Sequence, residues 1–138
     1  MRYETFMNRP LELMQRIEHK IDDVAFKWTL CLNTTQGLSE RVQSSPSNTQ
    51  EASYLRYIDA KNDLNDLVAE LETAQNEVRD FLYDSLSFND ADLLEWRYIN
   101  GKSPQEIADR MGVTYEATRQ RLKRANEKAR QQYARREN

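Results

Sequence analysis

The chain has 138 residues, 38% of them hydrophobic and 31% charged, with three glycines and three prolines. That mix argues against one thick core and for a few long helices with narrow apolar stripes, since little in it can turn the chain. One cysteine excludes an internal disulfide and a cysteine-cluster metal site. No apolar run is long enough to span a bilayer and no signal-peptide pattern opens the chain, so a cytoplasmic protein without a membrane segment is expected. The net charge of -3 conceals an asymmetry: residues 1–100 carry 10 Lys/Arg against 18 Asp/Glu, and residues 101–138 carry 10 against 5. A pI near 5.3 would by itself argue against a polyanionic partner. Attraction to phosphate, however, is local over a Debye length of ~10 Å, so the basic C-terminal balance decides.

Residues 1–9, with Tyr3, Phe6 and Met7, fit either a helical lead-in or a packing arm. From Pro10 the apolar positions Met14, Ile17, Ile21, Val24, Trp28 and Cys31 alternate steps of three and four, an a/d seam widened by Leu11, Leu13, Ala25 and Leu32. Asn8 or Arg9 is the expected N-cap and Gly37 the expected stop. Residues 37–50 cluster Ser, Pro, Asn and Thr and are expected to form a loop. A second stripe begins at Glu51 and runs through Tyr54, Tyr57, Ile58, Leu64, Val68, Leu71, Val78 and Leu82, with Lys61 and Gln75 interrupting it. Residues 51–95 hold 12 acids against 3 bases, giving this helix an acidic outer face. Two striped helices joined by one loop predict an antiparallel, coiled-coil-like hairpin over residues 1–86, with seams wider than one hairpin covers. Such seams predict homo-oligomers.

Residues 86–92 form the expected hinge into a second domain, residues 87–138. Ser87 and Asn89 are both plausible N-caps for a third helix over residues 91–99. The sequence SPQEIADRMGVTYEATRQRLKR follows. Ser103 with Glu106 three residues on is a capping-box pattern, and Pro104 occupies the first helical position. Ile107, Ala108 and Met111 share a face, Gly112 suits a left-handed C-terminal residue, and Thr114 can cap a second helix through Leu122 and Ala125 towards Ala129. This is a helix-turn-helix whose second member can enter the major groove of DNA. The stretch after Arg130 is polar and is expected to fray.

With Ala117, Thr118, Leu122 and Ala125 inward, the outer face presents Tyr115, Glu116, Arg119, Gln120 and Lys123 as base readers. Arg119 suits guanine, Gln120 adenine, and Glu116 can accept from cytosine N4. Lys102, Ser103, Thr114, Arg121, Arg124 and Lys128 are the expected phosphate contacts. The competing reading is a solvated basic face, with Glu116 serving only the helix N-terminus. His19 lies off the seam and reads as a surface residue, Cys31 as a small core residue, and Trp28 and Trp96 as core aromatics. No constellation points to an enzyme, a metal or a cofactor.

The run LLEWRYINGKSPQEIADRMGVTYEATRQRLKRA resembles region 4 of bacterial sigma factors. The matching residues are Arg97, Tyr98, Gly101, Glu106 to Ala108, Met111 to Thr114 and Arg119 to Ala125. With its long helical front half, the chain is similar to ArpU/RinA-type regulators of phage and prophage late genes in Gram-positive bacteria. The resemblance implies an all-α protein that activates transcription by sequence-specific binding to double-stranded DNA. It implies groove reading by Tyr115, Glu116, Arg119 and Gln120, and host RNA polymerase as a second partner or, alternatively, the main one. Two departures stand out. Thr118 occupies a position where the family has a core Val or Ile, which would loosen the recognition helix, and Tyr115 replaces a common Arg. A phage terminase small subunit is a further alternative, but there the DNA-binding part comes first in the chain.

Overall fold

The structure, a computed structural model, describes the backbone of residues 1–40 and 46–137 and the side chains of 1–33 and 49–137. Five helices account for nearly all of it: α1 (Tyr3–Glu40), α2 (Pro46–Ser85), α3 (Phe88–Tyr98), α4 (Pro104–Met111) and α5 (Tyr115–Glu137). No strand occurs among the described residues, so the chain is all-α, with two long helices preceding three shorter ones.

Several helix ends depart from expectation, each for a physical reason. α1 starts at Tyr3 rather than after Asn8 or Arg9, because Tyr3 and Met7, one turn apart, are both buried in a core that holds the first turns helical. Pro10 therefore lies inside α1, where it can give no hydrogen bond to the Phe6 carbonyl. Gly37 does not stop the helix, which runs on to Glu40; an interior glycine costs only about 1 kcal/mol relative to alanine. α2 starts at Pro46 rather than Glu51, proline being tolerated in a first turn. The expected loop over residues 37–50 thus shrinks, and its centre, residues 41–45, lies outside the described residues. α5 does not fray after Arg130 but continues to Glu137.

Contacts divide the chain into two compact units, Leu13–Glu70 and a second made of Met1–Glu12 with Leu71–Asn138. The second unit takes in the expected 87–138 domain together with the outer ends of both long helices.

In the Leu13–Glu70 unit, Lys20 Nζ lies 3.3 Å from Asp63 Oδ2, and the Trp28 and Tyr57 rings are 4.9 Å apart. Eight residues forward on α1 correspond to six residues back on α2, which makes the pair antiparallel. Leu13, Cys31 and Ala60 are its buried apolar residues among those described. Four positions of the expected seams, Ile21, Trp28, Tyr54 and Val68, are instead exposed, so Trp28 is not a core aromatic. Two helices present only one line of contact to each other, and the stripes are wider than that line.

The other unit has the larger core. Met7, Val78, Phe81 and Leu82 from the long helices close over Leu94, Ile107, Leu122, Ala125 and their neighbours from α3, α4 and α5. An aromatic cluster extends it. Tyr133 of α5 stacks on Phe6 with centroids 5.1 Å apart and meets Phe81 edge-on at 5.7 Å. Tyr133 is what keeps the polar end of α5 helical: its ring is anchored and its hydroxyl donates to the Met1 carbonyl at 3.0 Å. Asn126 Oδ1 accepts from Tyr3 (2.8 Å) and Tyr98 (3.1 Å), tying α5 to α1 and α3. Burial pushes the Tyr3 hydroxyl well above its ordinary pKa, so it stays a donor.

Candidate nucleic-acid interface

The helix-turn-helix forms as its local chemistry requires. Ser103 Oγ accepts the Glu106 N–H at 3.2 Å, Pro104 follows at the first helical position, and α4 ends at Gly112 with φ 69°, ψ 31°. A left-handed residue there costs glycine nothing and lets the chain turn sharply. Thr114 Oγ1 then accepts the Ala117 N–H at 3.1 Å and starts α5. The buried Ala108 leaves room for α5 to cross close to α4. On the third helix Ser87, rather than Asn89, is the N-cap, its Oγ accepting the Asp90 N–H at 3.4 Å.

α5 buries Thr118, Leu122, Ala125 and Ala129, positions spaced by three and four. Thr118 is fully buried without leaving its hydroxyl orphaned, because Oγ1 donates to the Thr114 carbonyl at 3.1 Å. The expected cost of a polar residue at that core position is therefore met locally.

The opposite face carries Glu116, Gln120 and Lys123 at i, i+4 and i+7, with Tyr115 and Arg119 beside them, and all five are exposed. They are not all unengaged. Arg119 Nη1 lies 3.4 Å from Glu116 Oε2, Gln120 Nε2 donates to Glu116 Oε1 at 3.4 Å, and the Arg119 guanidinium sits 6.0 Å from the Tyr115 ring centroid. Glu116 thus gathers both long side chains on one turn of helix. An exposed intrahelical pair of this kind is worth at most ~0.5 kcal/mol, against ~1–3 kcal/mol for a good bidentate base contact, so it would not hold these side chains back from one.

The expected phosphate contacts fall into three groups. Arg121 and Arg124 are exposed and, with Lys123, form no ion pair among the described residues. Lys128 pairs with Asp90 at 3.3 Å and Lys102 with Glu106 at 3.8 Å, both on the surface. Ser103 and Thr114 spend their oxygens as caps, which leaves the Thr114 hydroxyl hydrogen as the group available to an anion, since Ser103 also donates to Glu106 at 3.3 Å.

Arg121, Arg124 and Lys128 form one wall of an open groove of about 570 Å³ whose other wall is Asp90 and Asp92, with Leu93, Trp96 and Met111 at its floor. Trp96, half-buried with the Arg110 guanidinium 5.5 Å from its ring centroid, serves both core and groove. Sequence reasoning passed over this groove and Arg110, because the sequence gives no sign of which flank of α5 faces α3. Behind it, the Tyr83 hydroxyl hydrogen-bonds to Asp92 and Glu95, and Arg79 Nε donates to Glu95 at 3.1 Å. Burial, reinforced by the two carboxylates, pushes the Tyr83 pKa up. His19 is exposed and Cys31 buried, as their positions off and on the seam implied. No group of acidic, His or Cys side chains suited to a metal occurs among the described residues, and no described helix is long and apolar enough to cross a membrane.

No curated protein and no solved structure matches the chain. Residues 84–131, about a third of the chain, match the family model for Sigma-70, region 4. The segment from the last turn of α2 through most of α5 is a sigma region 4-like helix-turn-helix.

Proposed function

We propose that the protein is a sequence-specific DNA-binding transcriptional regulator, an activator of phage or prophage late genes of the ArpU/RinA type. It acts in the cytoplasm as a homo-oligomer, without cofactor or catalytic step. One observation carries the DNA reading: the capped second helix of a sigma region 4-like turn presents Glu116, Arg119, Gln120 and Lys123 on one exposed face, with Arg121 and Arg124 unpaired beside it. The late-gene assignment rests on the likeness of the whole layout, long helices first and sigma-like domain last. A single module covers little DNA, and duplication over two half-sites is the usual remedy.

Selection of binding sites from random DNA tests this. The native chain should enrich a motif, and Arg119→Ala and Gln120→Ala should each relax it at particular positions, losing ~1–3 kcal/mol of discrimination there. Removing Arg121 or Arg124 should weaken all sequences alike and reduce the salt dependence by about one counterion each. Equal recovery of all sequences by the native chain would refute the reading.

The groove between α3 and α5 favours a second role. Its apolar floor of Leu93, Trp96 and Met111 suits a protein contact with host RNA polymerase better than a phosphate backbone. Capture of polymerase without DNA, lost on Met111→Glu, would support it.

A further inference from the structure

We propose that one side of the Leu13–Glu70 hairpin is the contact face for a second copy of this chain, the two hairpins closing into an antiparallel four-helix bundle. This deepens the oligomeric part of the regulator reading and names its surface.

The two flanks of the hairpin differ sharply. From the inward line of α1, marked by Leu13, Ile17, Val24 and Cys31, Ile21, Trp28 and Leu32 are rotated one way and Lys20 and Lys27 the other. From the inward line of α2, marked by Ala60 and Leu67, Tyr54, Lys61 and Val68 are rotated in that same first sense and Asp63 in the other. Because the helices are antiparallel, equal senses of rotation fall on the same side of the hairpin. One side therefore carries Ile21, Trp28, Leu32, Tyr54 and Val68. The other carries an ion-pair network in which Lys20 lies 3.3 Å from both Asp23 and Asp63 and Lys27 lies 3.2 Å from Asp23. The network is solvated and satisfied; among the described residues the apolar side is uncovered.

Area supports an interface. The five apolar side chains are each between 41% and 50% exposed. At ~200 Å² per large side chain they leave on the order of 500 Å² of apolar surface in one patch, more than isolated surface residues account for. A standard stable interface takes ~800 Å² from each partner, and in homodimers roughly 65% of it is apolar, so the patch matches one partner's share. Phe26 and Leu55, also exposed, lie on the backs of the helices, and the exposed Leu30, two turns on from Asp23, lies on the ion-paired flank, so all three are outside this face.

The face is also complementary to itself. About a two-fold axis parallel to the helices, each α1 lies over the partner's α2 at the same height, because Lys20 is level with Asp63 and Trp28 with Tyr57. Ile21 then meets the partner's Leu64, and Leu32 meets the partner's Tyr54. Lys61, exposed in the single chain, comes level with the partner's Asp22, and the pair occurs twice. A polar residue of this kind in a seam sets register and partner number.

Sedimentation of the full chain without DNA, from nanomolar to tens of micromolar, tests the proposal. The expected species is two chains of 16.4 kDa each. Ile21→Glu with Val68→Glu should raise the dissociation constant at least ~100-fold. Both positions are half exposed in the single chain, so its helical circular dichroism should persist. Lys27→Gln, on the ion-paired side, should leave the dimer intact. Asp22→Lys and Lys61→Asp should each weaken pairing about fivefold, and together restore it. In a Trp96→Phe chain, Trp28 emission should shift to the blue as concentration rises. If the double variant loses its helical signal, this emission decides instead, and a spectrum independent of concentration overturns the proposal. So does a native monomer throughout the range, a larger ring, or a double variant that pairs as tightly as the native chain. A dimer that selects no DNA would count against the DNA-binding reading alone, whereas a monomer that selects DNA would remove this proposal and the oligomeric part of the regulator reading and leave DNA binding standing.

Discussion

Tyr133→Ala separates a docked C-terminal helix from a frayed one. The Tyr133 ring contacts Phe6 at 5.1 Å, Phe81 at 5.7 Å and Tyr3 at 5.9 Å, and its hydroxyl donates to the Met1 carbonyl. A fully buried aromatic truncated to alanine costs ~3–5 kcal/mol, and Tyr133 is about half-buried, so burial alone accounts for roughly 2 kcal/mol. The aromatic pairs add up to about 1 kcal/mol, while the exposed hydroxyl adds a few tenths at most. The expected loss is ~2–3 kcal/mol for Tyr133→Ala and under ~0.5 kcal/mol for Tyr133→Phe. Urea unfolding in a Trp28→Phe background, where Trp96 reports on the helix-turn-helix unit, measures both. Faster hydrogen exchange should appear in residues 3–10 as well as in the end of α5, since both ends share the anchor. A Tyr133→Ala cost below ~0.5 kcal/mol would mean the ring is not packed and the reasoning fails.

Gly112→Ala meets no atom within 4 Å of the added Cβ, so its cost should be the left-handed backbone alone, about 1 kcal/mol by thermal or urea unfolding. A value near zero would mean that the turn relaxes out of the left-handed region. Thr118→Val keeps the Thr114 carbonyl satisfied by the Thr118 N–H, so stability should stay level or rise by up to about 1 kcal/mol; a loss beyond ~1 kcal/mol would show that the hydroxyl bond holds the turn. Asp23 and Glu4 both titrate below the ordinary carboxylate range in the folded chain, Asp23 chiefly through its hydrogen bond from Lys27 and Glu4 chiefly through its own backbone N–H. A folded-state pKa below the unfolded one stabilises at neutral pH, and that stability drains away as pH falls through ~4 and under the folded value. The urea midpoint should therefore drop on acidification, and Asp23→Asn should flatten the drop.

The helix-turn-helix was legible because its signals are local. Ser103, Pro104 and Glu106 specify one helix start, Gly112 its end and Thr114 the next start, all within twelve residues and without help from elsewhere in the chain. The outward face of α5 followed from the same periodicity that buried Thr118, Leu122 and Ala125. The long helices were legible in kind but not in extent. Start and stop residues at Asn8, Gly37 and Glu51 contribute about 1 kcal/mol apiece, and burial of Tyr3 and Met7 outweighs that at the N-terminus.

Tertiary structure alone decided three things: the docking of Tyr133 onto Phe6, the tie of Asn126 to Tyr3, and which half of each wide stripe is covered. Side chains more than 120 residues apart leave no mark on each other in sequence. Periodicity reports the direction of an apolar stripe about its own helix. How much of that stripe a neighbour covers depends on the line along which two cylinders touch, and this exists only once the chain has folded.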